Sequence, residues 1–262
     1  MYPDNYLRAK AVRIRTLWRV CRLLGLGLSG VAQAESVPVA VAANFLPAME
    51  VIAEQFERRT GNRLILTAGA TGKLAAQIQN GAPFEVFLAA DAATPLKLER
   101  EGFVVPNTRF IYALGRLVLW SSHEGFVDPE GKILTSGHFS HLSLANPRLT
   151  GYGAAAMEVI RALGLETALT PKLVQGENIA QAYQFVATGN AELGFVALSE
   201  VYQSGQVRSG SVWYIPEQLY APIHQEAALL VKGAHRPAAR ALLDYLKSSE
   251  ARAAMTERGY RP

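Results

Sequence analysis

From Val37 onward the chain alternates short apolar runs with helix-length amphipathic segments, and this alternation restricts the fold more than any other feature. Residues 37–43 (V-P-V-A-V-A-A) are continuously apolar, as a strand buried on both faces must be. A helix is expected next. Asn44 or Leu46-Pro47 opens it, Met49, Ile52, Ala53 and Phe56 recur at i, i+3, i+4 and i+7, and Arg58-Arg59-Thr60-Gly61 closes it with basic residues and a glycine stop. Leu64-Ile65-Leu66 reads as the second strand, and Gly69-Ala70-Thr71-Gly72 leads into a helix carrying Leu74, Ala75 and Ile78 that ends at Asn80-Gly81. Glu85 to Ala90 is the third strand, with Asp91 as N-cap of a helix that stops at Gly102. This βαβαβα order implies a mostly parallel sheet flanked by helices, with binding at the carboxyl ends of its strands.

Leu117 to Trp120 reads as a crossing strand, and after a polar stretch a second α/β unit begins at Leu142-Ser143-Leu144-Ala145. Its later elements are a helix over 179–188, the strand at 193–196 and the strand at 212–215. The strand at 227–231 and the helix at 238–247 follow Pro222. The expected organisation is two α/β lobes joined by two crossings: residues 35–114 with 223–262, and residues 115–222.

The formal charge of +4 does not point to a nucleic acid, because it is concentrated at the front. Residues 1–34 hold six basic side chains (Arg8, Lys10, Arg13, Arg15, Arg19, Arg22) against Asp4, a local +5, which leaves −1 for the rest. The same stretch has an apolar run from Leu23 to Val31 and then Ala32-Gln33-Ala34, the pattern of a secretory signal peptide cleaved after Ala34. Cys21, the only cysteine, lies inside it, so the expected mature chain has no disulfide, no Cys-ligated zinc and no Cys nucleophile. No later stretch approaches the ~18 apolar residues that span a bilayer.

Four strand-to-helix junctions carry a small or hydroxyl-bearing polar residue where a helix begins: Ala43-Asn44, Thr71-Gly72, Thr150-Gly151-Tyr152-Gly153 and Glu177-Asn178-Ile179. Each presents first-turn N–H groups without intrahelical acceptors at a positive dipole end, so converging junctions would make an anion site. The plainer alternative is that Asn and Thr simply cap their own helices. Gly69, Gly72, Gly151 and Gly153 fit either close approach of backbone to a ligand or ordinary turns. Tyr152 offers an O–H donor on a Gly-Tyr-Gly turn, the plainer alternative being a tyrosine that is only packed. Lys73, in a first helical turn, is expected to be solvated.

Catalytic patterns are weak by comparison. His123, His138, His141, His224 and His235 lack metal-ligand spacing, and there is no G-x-S-x-G, P-loop or G-x-G-x-x-G. Asp128 and Glu130 read as solvated carboxylates.

In V-A-V-A-A-N-F at 39–45, A-T-G-K-L-A-A-Q-I-Q-N-G-A-P-F-E-V-F-L-A-A-D at 70–91, A-N-P-R-L-T-G-Y-G-A-A-A at 145–156 and L-G-F-V-A at 193–197, the sequence resembles the periplasmic molybdate-binding proteins that feed ABC transporters. The match runs along nearly all of residues 37–262. The resemblance implies an α/β, two-lobe periplasmic binding protein fold of type II, each lobe a mixed sheet flanked by helices with the ligand in the interlobe cleft. It implies no enzyme activity and no cofactor: a monomer that captures molybdate, and tungstate with it, in the periplasm and delivers it to the membrane permease of an ABC transporter. Carried over residue by residue, the oxyanion donors fall on Asn44 and the Ala43 amide, Thr71, Tyr152 and the backbone N–H of Ile179, with molybdenum held only as molybdate by these same groups. Ala197 stands where one subgroup has a tyrosine, and Thr71 where serine is common. The alternative ligand is sulfate or another small oxyanion. A porphobilinogen-deaminase-like transferase on the same fold tethers its cofactor through cysteine, and Cys21 is in the leader. A DNA-binding regulator would need a module that residues 1–34 are too short to hold.

Overall fold

The computed structural model describes residues 34–261. The signal-peptide reading and Cys21 therefore lie outside the described residues, Ala34 excepted.

Twelve strands, β1 (Ser36–Ala42), β2 (Arg63–Gly69), β3 (Val86–Leu88), β4 (Phe110–Gly115), β5 (Leu117–Ser121), β6 (Leu142–Ala145), β7 (Leu173–Gly176), β8 (Leu193–Ala197), β9 (Tyr202–Gln203), β10 (Gln206–Val207), β11 (Ser211–Tyr214) and β12 (Ile223–Leu229), form two five-stranded sheets and one small hairpin. The first sheet has the order β2-β1-β3-β12-β4, with β1 parallel to β2 and β3, and β12 antiparallel to both its neighbours. The second has the order β11-β5-β8-β6-β7, with β6 parallel to β7 and β8 and the other pairings antiparallel. Both sheets are thus mixed and helix-flanked. The chain passes from the first to the second between β4 and β5, and returns between β11 and β12.

Seven longer helices flank them: α1 (Leu46–Thr60), α2 (Thr71–Gln79), α3 (Ala93–Arg100), α4 (Gly151–Ala162), α5 (Ile179–Ala187), α6 (Pro237–Tyr245) and α7 (Ser249–Glu257). The periodic residues of α1, Met49, Ile52, Ala53 and Phe56, are its buried face, and Gly61 ends it in the left-handed region at φ 75°. Burying each large side chain of that face contributes on the order of 1.5–3 kcal/mol. They pack with Val37, Val39 and Val41 of β1 against α6 and α7 residues including Leu242 and Met255. A second cluster, built on Leu74, Phe87 and Leu98, covers the other face of the same sheet. The second sheet is covered likewise by Leu144, Tyr152, Val159 and Phe195 on one side and Val118, Trp120 and Val196 on the other.

Several elements differ from the sequence reading. The half-exposed strand β4, the edge strand β7 and helix α7 were not anticipated: β4 is a short apolar run set directly before β5, and the apolar residues of β7 and α7 are few and interrupted by polar ones. Strand β12 begins at Ile223 rather than Ala227, and its first half buries a polar residue, Gln225.

Candidate oxyanion site

A small pocket lies where the two sheets face one another, and its lining comes from the carboxyl ends of parallel strands. Ala42, Ala43 and Asn44 follow β1; Gly69, Ala70 and Thr71 follow β2; Ala90 follows β3. From the second sheet, Thr150 and Tyr152 follow β6, and Asn178 and Ile179 follow β7. All five residues expected from the sequence, Ala43, Asn44, Thr71, Tyr152 and Ile179, are among them. Every lining residue is uncharged. Asn44, Thr71 and Tyr152 are each 1% exposed and Ile179 3%, so a small ion seated here is stripped of water and must find its hydrogen bonds in the protein.

The junctions divide into two kinds. Thr150 and Asn178 are ordinary caps, accepting hydrogen bonds from Gly153 N (2.9 Å) and Gln181 N (2.9 Å). Their hydroxyl and amide are spent on their own helices, which leaves the earlier N–H of Ile179 free of a cap. Asn44 and Thr71 cap nothing. Asn44 sits within a short 3-10 turn (Ala43–Phe45) that has no side-chain cap, and Thr71 is the first residue of α2, whose N-cap is Ala70.

The Thr71 hydroxyl instead accepts a hydrogen bond from Ala90 N (3.1 Å), and among the described residues it donates to none. Its acceptor side is occupied and its proton is unspent, which makes it a donor aimed at whatever fills the pocket. Tyr152 Oη is treated in the same way: Gln225 Nε2 donates to it over a long 3.4 Å. Burial, reinforced by the neighbouring Tyr260, Tyr112, Tyr220 and Glu200, holds the Tyr152 phenol well above the ordinary tyrosine range, so it keeps its proton.

Asn44 is more constrained than the sequence suggested. Its Nδ2 donates to Gln225 Oε1 (2.8 Å) and Tyr260 Oη (2.9 Å), while its Oδ1 is buried with no partner among the described residues. Gln225 Oε1 also accepts from Tyr112 Oη (3.0 Å), and Tyr260 Oη donates to Asn44 O (2.7 Å) and contacts Ser199 Oγ (2.9 Å). Gln225, Tyr112, Tyr260 and Ser199 were all missed by sequence reasoning. Only Gln225 left a trace: in Ile223-His224-Gln225-Glu226-Ala227 it falls on the inward face of the alternation.

Gly151 and Gly153 make room for protein rather than for ligand. A Cβ on Gly151 would stand 2.7 Å from Ala90 O across the interface, and one on Gly153 would stand 2.8 Å from Asn146 O; of the four, only Gly69 lines the pocket. Gly115, at the end of β4, was not singled out, yet a Cβ there would be 2.9 Å from Gln225 Nε2 and closer still to Tyr152 Oη. Lys73 is not simply solvated: its Nζ lies 2.5 Å from Glu177 Oε2, tying α2 to the segment before α5. Asp128 accepts from the backbone of Glu130, Lys132 and Ile133. Among the described residues no group of three His, Cys, Asp or Glu is placed to hold a metal ion.

The arrangement offers uncharged donors from both sheets and no cation. That suits a small, fully deprotonated oxyanion, because each hydrogen bond to an ionic acceptor is worth on the order of 1.5–3 kcal/mol and several together offset desolvation. The larger neighbouring cavity faces Asp91 and Glu158 and has the wrong sign for an anion.

The sequence is 55% identical over 246 residues to the molybdate-binding protein of Azotobacter vinelandii, an alignment covering 94% of this chain and 98% of that one. It is 46% identical over 237 residues to the molybdate-binding protein of Rhodobacter capsulatus, covering 90% and 92%. The solved structure of the Azotobacter vinelandii periplasmic molybdate-binding protein superposes with a TM-score of 0.84, covering 86% of this chain and 99% of that one. A sulfate-binding protein from Mycobacterium tuberculosis, 14% identical with a TM-score of 0.70, shares the fold. The family described as bacterial extracellular solute-binding protein matches residues 37–261, and the chain belongs to it.

Proposed function

We infer that the protein captures molybdate outside the cytoplasmic membrane and hands it to the permease of an ABC transporter. The observation that carries this reading is the pair of hydroxyls, Thr71 and Tyr152, each with its oxygen loaded by a protein donor and its proton left over. Molybdate at neutral pH is a tetrahedral dianion without a proton, so it requires donors alone, and a protonated oxyanion such as monohydrogen phosphate would want an acceptor. The names of relatives at 55% and 46% identity support the same ligand.

In this reading Asn44 and the Ala43 amide, Thr71, Tyr152 and the Ile179 N–H are the ligands. Residues 35–114 with 223–262 act as one lobe and 115–222 as the other. The dianion bridges them and favours their closure, which presents the surface the permease recognises. The leader directs export and is cleaved after Ala34, and the protein works as a monomer without enzymatic activity. Tungstate, alike in charge and shape, binds comparably; sulfate differs chiefly in size and is rejected by pocket radius.

Calorimetric titration of the purified protein tests this. Molybdate and tungstate should bind and a large excess of sulfate or phosphate should not displace them; displacement by sulfate would transfer the assignment to that ion.

A further inference from the structure

Gln225 is fully buried on β12, at the register shift between Gln225 and Glu226 against β4, and it does not line the pocket. Its carboxamide nevertheless touches two of the lining side chains, one from each sheet: Oε1 accepts from Asn44 Nδ2 at 2.8 Å and Nε2 donates to Tyr152 Oη at 3.4 Å. Tyr112 Oη anchors Oε1 at 3.0 Å, and the missing Cβ of Gly115 gives Nε2 and the phenol room to meet.

We propose that Gln225 is the positioning residue of the site, the neutral amide that joins Asn44 to Tyr152 and keeps the Tyr152 proton available to the ligand. The proposal rests on the oxyanion reading above. An amide is the group that performs this task, because one end donates and the other accepts. A carboxylate of the same shape has only acceptors. It would draw both the Asn44 amide hydrogens and the Tyr152 hydroxyl toward itself, and would add a negative charge next to an anion site. A thioether of similar length would do neither.

The effect therefore runs through Tyr152, and a double-mutant cycle reads it. Calorimetry with sodium molybdate is carried out on the wild-type chain, Gln225→Glu, Tyr152→Phe and the double variant. Gln225→Glu should weaken binding about 100-fold in the wild-type background and about tenfold at most in the Tyr152→Phe background, where no phenol proton remains to be diverted. Equal losses in both backgrounds, or no loss, would overturn the proposal. Gln225→Met covers the case in which the buried carboxylate prevents folding: it should fold, as followed by thermal denaturation, and bind about tenfold more weakly, whereas unchanged affinity would overturn the proposal. If wild type takes up no molybdate, the ligand reading fails; if it does and the variants match it, only the role of Gln225 fails.

Discussion

Lys73 Nζ and Glu177 Oε2 stand 2.5 Å apart, and they come from opposite sides of the pocket: Lys73 from α2 beside the first sheet, Glu177 from the turn after β7 of the second. Lys73, two residues along from the pocket residue Thr71, is thus committed to a carboxylate. Beside it, Gly72 N donates to Leu149 O at 3.0 Å, so the contact continues through the backbone. The pair links the two sides of the pocket without lining it.

Both side chains are about half exposed (51% and 43%), and such pairs are worth roughly 0.2–1 kcal/mol. Lys73→Met should therefore weaken molybdate binding only two- to fivefold at low salt, and less at 0.5 M salt, where the pair is screened. A salt-insensitive loss of 100-fold or more would mean that the lysine grips the anion directly.

The neutral donors should cost more. Asn44→Ala and Tyr152→Phe each remove a donor worth about 1.4 kcal/mol or more, so each should weaken binding about tenfold by calorimetry. Unchanged affinity in both variants would remove these residues from the ligand set.

Closure depends on a glycine. Since a Cβ on Gly151 would stand 2.7 Å from Ala90 O, a backbone atom of the facing segment, Gly151→Ala should hold the halves apart. Affinity should fall by tenfold or more while the melting temperature without ligand changes by only a few degrees. A variant that binds like wild type would show that the halves need not approach this closely.

Glu200, in the short helix Leu198–Val201, is 8% exposed, its Oε1 has no partner, and burial pushes its carboxyl up to about 7 against the opposing pull of Arg208 and Arg258. A raised carboxyl binds its proton more tightly folded than unfolded, so stability is highest below about 4.5 and declines as pH rises through about 7. The loss is on the order of 3 kcal/mol. Glu200→Gln should flatten this slope: thermal denaturation should find it gaining on wild type between pH 5 and pH 8. Parallel curves across that range would contradict the raised carboxyl.

Much of the site was legible because it is local. Ala43, Asn44, Thr71 and Ile179 sit within three residues of a strand end and Tyr152 in the first turn of the helix that follows one, where an apolar run gives way to a helix start, and that transition is written in consecutive residues such as Val39 to Phe45. Asn178 and Thr150 looked like the same signal and proved to be caps; only the partner of the side chain, a backbone N–H three residues on or one elsewhere, separates the two cases. What remained hidden is the support behind the donors. Asn44 is held by Gln225 and Tyr260, 181 and 216 residues away, and no local pattern encodes such a pairing. Gly115 was equally silent, since its importance lies in the approach of Tyr152 and Gln225 from two other elements.

The central claim is that uncharged groups from both halves enclose a dianion with no counter-cation, and a crystal structure grown with molybdate tests it most directly through the anomalous signal of molybdenum. The ion should lie within hydrogen-bonding distance of Asn44, Thr71, Tyr152 and the Ile179 N–H, with no lysine or arginine in its coordination sphere. A peak elsewhere in the molecule, or a basic side chain bonded to the oxide, would contradict the account.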